Sequence, residues 1–420
     1  VRISRRCAIH RRILTAGIVT LMLAVDRASA QSPVPDRLAP TPITRSEAIA
    51  VALARSPLIG LAGADQSLAD ANVGVARQWE NPLLGASISK SAPQQHYTLD
   101  LALDPWWQRS PRVAAAEAAR DVARVRFLYA IRSIAFDVDT AYTRAQLSGA
   151  RSRLSARTAR DADSLLVLAR VRRDAGDASA LDVELAAVFA GQAHNVASSD
   201  SVGAQYALLT VQTLMGRASD AAEISVVDSL MIETSTGMSA TSETPLLLDV
   251  ASRDVRAAQL RVDAERGRRF GAPSLSLGIE TVNPGGPGGA LGLAGISLPI
   301  PVFNRNGGAI LAARADLARA QAQLSYTRLA TGAALVAARR DADAARARAQ
   351  RSAQLVASAD RIATLSLLAY REGASTLLVV LEAQRTARET LAQYFDDVAA
   401  ARVATSLFRL LSTSASETRP

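Results

Sequence analysis

The chain has 420 residues, a formal net charge of +9 and a single cysteine, and 49% of its residues are hydrophobic although only 4% are aromatic. Apolar content drawn mainly from Ala, Leu and Val favours long helices packed through small side chains over a thick aromatic core, and one cysteine excludes a disulfide framework. Much of the basicity is confined to the first thirty residues, so the charge alone makes no case for a nucleic-acid partner.

Those thirty residues read as a secretory signal peptide, 1–30. VRISRRCAIHRR is a basic segment, ILTAGIVTLMLAV is apolar but too short to span a bilayer comfortably, and Ala28-Ser29-Ala30 is an A-x-A cleavage site. Export with cleavage after Ala30 is the expectation. Cleavage would remove Arg2, Arg5, Arg6, Arg11, Arg12 and Arg27 against Asp26, taking the formal charge from +9 to +4. Cys7 would leave as well, and with it any thiol nucleophile or lipid-bearing N-terminal cysteine. No uninterrupted apolar run of about 18 residues follows, so membrane contact would fall to strands rather than to an ordinary transmembrane helix.

After a linker, 31–43, the chain repeats one plan: a first repeat at 44–216, a connecting segment at 217–245, a second repeat at 246–412 and a tail at 413–420. Pro105 aligns with Pro301 at an offset of 196, laying DPWWQRSPRVAAAEAARD over IPVFNRNGGAILAARADL. Sixty residues on, RRDAGDASALDVELA lies over YREGASTLLVVLEAQ, with Gly176 against Gly373. Each copy opens with a helix, about 46–79 and 246–269, that ends before a proline. A strand pair follows: NPLLGASISKS and YTLDLALD around SAPQQH, then APSLSLGIETV and LGLAGISLP around NPGGPGGA. Leu99, Leu101 and Leu103 share one strand face against Thr98, Asp100 and Asp104; Leu275, Leu277 and Ile279 oppose Ser274, Ser276 and Glu280.

A long helix comes next in each copy. Ser110 and Pro111 suit an N-cap and first helical position, and no proline then intervenes before Asp174; Val122, Val125, Leu128, Ile131, Ala135, Val138, Tyr142 and Ala145 keep the three/four spacing of a helix face. In the second copy Leu355, Ile362 and Ala369 keep a seven-residue beat. Each long helix stops at a glycine, Gly176 or Gly373, and restarts at Ser179 or Thr376 as a helical hairpin.

Four short strands with one oily face cannot stand alone in lipid, because an open sheet leaves edge backbone groups unpaired. Several identical chains donating strands to one barrel would remove those edges. The order helix, strand pair, long helix, glycine turn, helix, twice over after a signal peptide, resembles the TolC-type outer-membrane efflux protein family across nearly all of the mature chain. SLPIPVFNRNGGAILAARAD, AGDASALDV and EGASTLLVV carry the resemblance most specifically, and the P-x-F-N-R-N-G junction resembles the CzcC-like, cation-efflux branch that works with resistance-nodulation-division (RND) pumps.

The resemblance implies an α+β membrane protein: an internally duplicated chain contributing four strands to an oligomeric outer-membrane β-barrel, with a long α-helical coiled-coil tunnel in the periplasm. It implies a homotrimer of twelve strands in outer-membrane lipid, joined through a periplasmic adaptor to an inner-membrane RND-type pump and passing metal cations or small toxic compounds. A type I protein-secretion conduit and a soluble periplasmic coiled-coil scaffold are the alternatives. It also assigns the helical turns Gly176, Asp177, Ala178, Ser179 and Gly373, Ala374, Ser375, Thr376 to adaptor docking, and Asp182, Tyr370 and Glu382 to a pore gate. Val379 stands where an acid is usual and Ser375 where an arginine ties neighbouring subunits. Glu382 equally suits a solvated helix face.

Trp106, Trp107, Arg109, Phe303 and Arg305 fall where strand gives way to helix, the level of a membrane-boundary belt, with ordinary packing as the other reading of the tryptophans. Asp100, Asp104 and Glu280 suit either a lumen face or a solvated loop end. No catalytic, cofactor or metal set emerges: His96 and His194 have no Cys or carboxylate at ligand spacing, Asp161 and Asp163 read as a solvated charge run, and NPGGPGG lacks the Gly-Lys-Ser/Thr ending of a phosphate loop.

Overall fold

The computed structural model describes residues 40–90, 93–231, 244–281 and 289–414. The expected signal peptide, most of the 31–43 linker, and parts of both hairpin tips, of the 217–245 connection and of the tail lie outside the described residues. Within them run β1 (Thr41–Ile43), α1 (Arg45–Arg55), α2 (Pro57–Arg77), β2 (Leu83–Ile88), β3 (Gln95–Ala102), α3 (Trp106–Asp174) and α4 (Ala180–Leu214). There follow β4 (Ile224–Val226), α5 (Leu246–Gly267), β5 (Ser274–Thr281), β6 (Ala290–Ser297), α6 (Gly307–Arg371) and α7 (Leu377–Ser412). The same order, helix, strand pair, long helix, helix, therefore occurs twice.

Three boundaries differ from the sequence reading. The single helix expected at about 46–79 is α1 and α2, meeting at a 45° bend. Pro57 explains it: the ring drives Ser56 to an extended ψ of 131° and removes the amide that would continue the ladder. Helix α3 begins at Trp106 instead of at Ser110-Pro111, so Pro111 lies inside it and Trp106 and Trp107 are helical. Pro111 has no amide for the Trp107 carbonyl, and the backbone of Gly267 occupies that space; a Cβ on Gly267 would sit 2.4 Å from the Trp107 oxygen. Finally, the linker and connection contain β1 and β4, a parallel pair with Thr41 opposite Ile224 and Ile43 opposite Val226. Three-residue strands carry too little periodicity to be read from sequence.

The larger sheet runs β2-β3-β5-β6, every pair antiparallel. Its register lines up Leu84, Leu99, Leu277 and Ala294, and next to them Leu101, Leu275 and Ile296, on one face. Among the described residues no helix packs broadly over that face, and Leu84, Ile88 and Ile296 are 79%, 84% and 77% exposed. Eight-residue strands are about 27 Å long and, at the tilt of barrel strands, cover about 20 Å of an apolar band about 25 Å tall.

Helix order follows strand order: α2 packs on α3, α3 on α5 and α5 on α6, while α4 pairs with α3 and α7 with both α6 and α3. At 69 residues α3 is about 100 Å long. The helical pairs close through small side chains, Ala338, Ala342, Ala345, Ala349, Ala359 and Ala363 on α6, and Ala159, Ala162 and Ala169 facing Ala186, Ala190 and Ala193 across α3 and α4. The seven-residue beat at Leu355 and Ile362 is not part of that seam; both stay exposed. Comparable unburied stripes run along α2 (Leu61, Leu68, Val75) and α4 (Leu181, Val188, Val202), at the opposite edge of the helical layer. Among the described residues no single helix is long and apolar enough to cross a membrane.

Midway along α3, polar groups fasten the short strands to the long helices. Tyr142 is fully buried, and its hydroxyl donates to the Ile43 carbonyl at 2.9 Å and to Asp228 at 3.1 Å. Arg45 pairs with Asp139, which also accepts from Ser406, and Arg402 donates to Gln146 Oε1 at 2.7 Å and to the Ser229 and Met231 carbonyls. Burial pushes the Tyr142 hydroxyl up to about 12; the Asp228 backbone opposes the rise and the Asp228 carboxylate adds to it. Below pH 10 both folded and unfolded chains keep this proton; between about 10 and 12 only the folded chain does, so stability falls as pH rises through that window. Tyr142→Phe is expected to cost about 1–2 kcal/mol at neutral pH and to remove this part of the alkaline decline, read from the urea-unfolding midpoint of detergent-extracted protein.

Candidate functional site

The residues singled out by sequence gather at three levels: the far ends of the helical hairpins, the strand–helix junction, and the polar face of the sheet. At the far end, α3 and α6 finish identically. Gly176 (φ +87°) and Gly373 (φ +76°) take the left-handed conformation that a β-carbon disfavours. Gly176 N donates to Arg173 O and Asp177 N to Arg172 O, at 2.9 and 2.8 Å; Gly373 N and Ala374 N do the same with Tyr370 O and Ala369 O, at 3.1 and 2.8 Å. These paired bonds satisfy the last helical carbonyls and turn the chain back. Asp177, Ser179, Ala374 and Thr376 are exposed around the turns, and Ala178 and Ser375 are half-buried.

The restarts are not alike. Ser179 and Asp182 form a reciprocal capping box: Asp182 N donates to Ser179 Oγ at 3.2 Å, and Asp182 Oδ2 accepts from Ser179 N at 3.0 Å. At α7, Thr376 makes no side-chain cap, and the position corresponding to Asp182 is Val379, which has no acceptor to offer. Asp182 thus has a local structural task. Glu382 is exposed and pairs with Arg385 on its own helix at 2.8 Å.

Tyr370 is only 3% exposed, packed among Leu165, Ala169, Val183, Leu377 and Val380, so both hairpin tips share one small core. Arg172 bridges them: its guanidinium lies 4.7 Å from the Tyr370 ring centroid, Nη1 donates to the Tyr370 carbonyl at 2.6 Å, and Nη2 reaches Asp177 O at 3.4 Å. Burial raises the Tyr370 hydroxyl pKa, Arg172 pulls it back and Asp182 adds to the rise. Sequence reasoning missed Arg172, because an arginine in the last turn of a helix looks like its neighbour Arg173, and only the approach of α6 separates them.

At the junction, Trp106 and Trp107 meet edge to face at 6.0 Å; Trp106 is exposed and Trp107 half-buried. Arg109 lies 4.9 Å from the Trp79 ring and donates to Arg77 O at 3.2 Å. Its matched residue Arg305 reaches only the nearby Pro301 carbonyl, at 3.3 Å, beside a fully exposed Phe303. An apolar groove of about 790 Å³ opens here between Trp106, Trp107, Phe270, Leu298 and Ile300. Asn306 (φ 56°) makes the turn from strand to α6, donating through Nδ2 to Glu265 O at 2.8 Å.

On the polar sheet face, Asp100 accepts from Ser276 at 2.5 Å, and Asp104 is held by Arg112 at 2.7 Å. Both histidines meet carboxylates from other elements, which sequence spacing did not suggest: His96 Nδ1 lies 3.1 Å from Glu280 Oε1, and His194 Nε2 lies 3.0 Å from Asp163 Oδ2. Cross-strand and cross-helix neighbours are set by register, which local spacing does not encode.

Residues 48–217 match the sequence profile of the family described as Outer membrane efflux protein. The cobalt-zinc-cadmium resistance protein CzcC of Cupriavidus metallidurans is 24% identical over 92% of this chain and 95% of its own length. The nickel-cobalt-cadmium resistance protein NccC of Alcaligenes xylosoxydans xylosoxydans is 26% identical over 67% of this chain and 66% of its own. In fold, a crystal structure of CusC superposes with a TM-score of 0.73 and 15% identity, covering 88% of this chain and 92% of that one.

The unequal restarts give a direct check. Val379→Asp places an acid where α4 has Asp182, and it is expected to stabilise the start of α7 by about 0.5–1 kcal/mol, seen as slower amide exchange over residues 377–381. Unchanged exchange would show that Thr376 is not limited by its missing partner.

Proposed function

We propose that this chain, a member of the outer membrane efflux protein family, is one of three identical wall segments of an outer-membrane efflux channel that passes divalent metal cations out of the periplasm. It lies in the outer membrane with its helices extending into the periplasm. The observation that carries the reading is the uncovered sheet: one face is apolar and exposed, and among the described residues the outer edges of β2 and β6 have no partner. In lipid, that arrangement is tolerable only if each edge pairs with another copy.

The directions fit. With four antiparallel strands, β6 of one copy runs antiparallel to β2 of the next, so copies related by rotation about the membrane normal close with uniform pairing. The exposed stripe on α6 then faces the exposed stripes on α2 and α4 of a neighbour, a heterologous contact that closes as a ring. Two copies would give a barrel of about eight strands, filled by its own side chains; three give about twelve and leave a lumen. The internal duplication makes each chain supply two similar sixths of that wall.

The cargo and partners follow from relatives. CzcC and NccC are named for cobalt, zinc, cadmium and nickel resistance, which supports metal cations as the cargo here. The relatives are resistance and channel proteins, in keeping with a passive conduit rather than an enzyme. A periplasmic adaptor docked at the tips around Gly176 and Gly373, with an RND-type pump beneath it, would supply the energy, and Tyr370 with Asp182 would sit at the closing end of the tunnel.

Ile362→Glu with Leu355→Glu puts charge into the seam between copies and is expected to abolish a heat-sensitive, detergent-extracted oligomer on gels; a native oligomer in that variant, or a wild-type monomer released without detergent, would refute the ring. Gly373→Val forces a β-branched residue into φ +76°, at a cost of about 1–2 kcal/mol. It is expected to leave the oligomer intact while lowering cobalt, nickel or zinc tolerance of cells expressing the chain with its pump. Full tolerance would remove the tips from the docking role.

A further inference from the structure

His96 lies on the polar face of β3, directly opposite Ser87 on β2 and Glu280 on β5, one rung from the end of the strands next to the hairpin tips. Its Nδ1 and the Glu280 Oε1 are 3.1 Å apart, each side chain a little over a quarter exposed. Two donors bound about 2.05 Å from one cation are separated by about 2.9 Å in an octahedral site and about 3.3 Å in a tetrahedral one. The 3.1 Å separation falls between these two values, so one cation lying to the side of the N···O line reaches both donors without moving the strands. Imidazole nitrogen with a carboxylate oxygen suits borderline divalent ions, Zn²⁺, Co²⁺ and Ni²⁺, better than Cu⁺, which prefers sulfur, or Mg²⁺, which prefers oxygen alone.

We infer that His96 and Glu280 form an exchange site for a borderline divalent cation on the polar face of the sheet, one site per chain. This rests on the reading of that face as a channel lumen. With only two protein ligands, water completes the coordination sphere, so the ion binds weakly and leaves fast. A conduit needs that balance, since a site that holds its cargo tightly stops conducting it. Asp100 lies four residues further along the same face, about 13 Å away, with its carboxylate bonded to Ser276; it offers an inner acidic station on the approach. Each chain's contribution is complete in itself, because both ligands come from neighbouring strands of one polypeptide.

The other histidine is the natural control. His194 and Asp163 offer the same donors, but they are 58% and 50% exposed on helices and away from the sheet. Titration of the detergent-solubilised oligomer with Ni²⁺, using protein that lacks a histidine tag and carries His194→Gln throughout, isolates the strand pair. About one ion per chain is expected, with His96→Gln and Glu280→Gln each weakening binding by about tenfold or more and Glu280→Asp retaining it. Binding that survives His96→Gln, or that ignores Glu280→Gln as a lone imidazole would, overturns the site. In the unmutated protein Ni²⁺ should protect His96 from carbethoxylation by diethyl pyrocarbonate, a readout that needs no variant to assemble; an unprotected His96 overturns the site equally. Failure here with metal tolerance intact removes the exchange site and leaves the conduit, whereas lost oligomerisation in the seam variants with Ni²⁺ binding preserved supports both the ring and a site complete within one chain.

Discussion

Backbone amides and carbonyls at the edges of a sheet set the terms for everything else in this molecule. In water an unpaired edge is solvated and costs little, but in hydrocarbon each unmet group costs several kcal/mol. β2 and β6 both present such edges, and the sheet between them turns leucines and isoleucines outward with nothing packed over them. A soluble domain of this size would cover that face with a helix; here the helices leave it bare and continue the strands lengthwise. In the proposed channel those demands are met when the edge of one copy pairs with the edge of the next and the apolar face meets lipid.

The helical part answers the same demand differently. α6 carries two seams at once, an alanine seam that draws α7 in close, and a leucine and isoleucine seam that stays open. Alanine contacts are thin, so they yield a helical layer one helix deep instead of a bundle around a thick core, and a thin layer is what lets long helices enclose space. The buried polar knot of Arg45, Asp139, Tyr142, Asp228, Gln146 and Arg402 then fixes where the short strands and connections cross the long helices. Each of those bonds ends on a backbone carbonyl or an ionised partner, so the crossing is specified in register as well as in place.

Much of this was legible in the sequence because it depends on local signals repeated over long stretches. Strand alternation at Leu99 to Leu103, glycines at 176 and 373, and proline-marked junctions each have a mechanism that acts within a few residues. What escaped reading depends on partners far apart in the chain. Pro57 breaks the first helix, and the helical pattern that continues on both sides of it conceals the break. Trp106 and Trp107 start α3 ahead of Pro111 since Gly267 of α5 accommodates the carbonyl that Pro111 leaves free. Arg172 matters through α6, His96 through β5, and β1 through β4; none has a signature of its own. The heptad at Leu355 and Ile362 was legible as a packing face, but not as a face that the rest of the chain leaves exposed.

The two hairpin tips of one chain are similar in backbone and unlike in chemistry: one restarts on a reciprocal Ser179–Asp182 cap, the other on an uncapped Thr376 followed by Val379. In the proposed ring of three chains these tips would alternate, giving the end of the tunnel a near-sixfold shape and only threefold character. A ligand protein that recognises shape would seat six copies there, whereas one that recognises the cap would seat three. In that arrangement the stoichiometry of a partner docked at this end would turn on a single position, the acid at 182 that has no counterpart at 379.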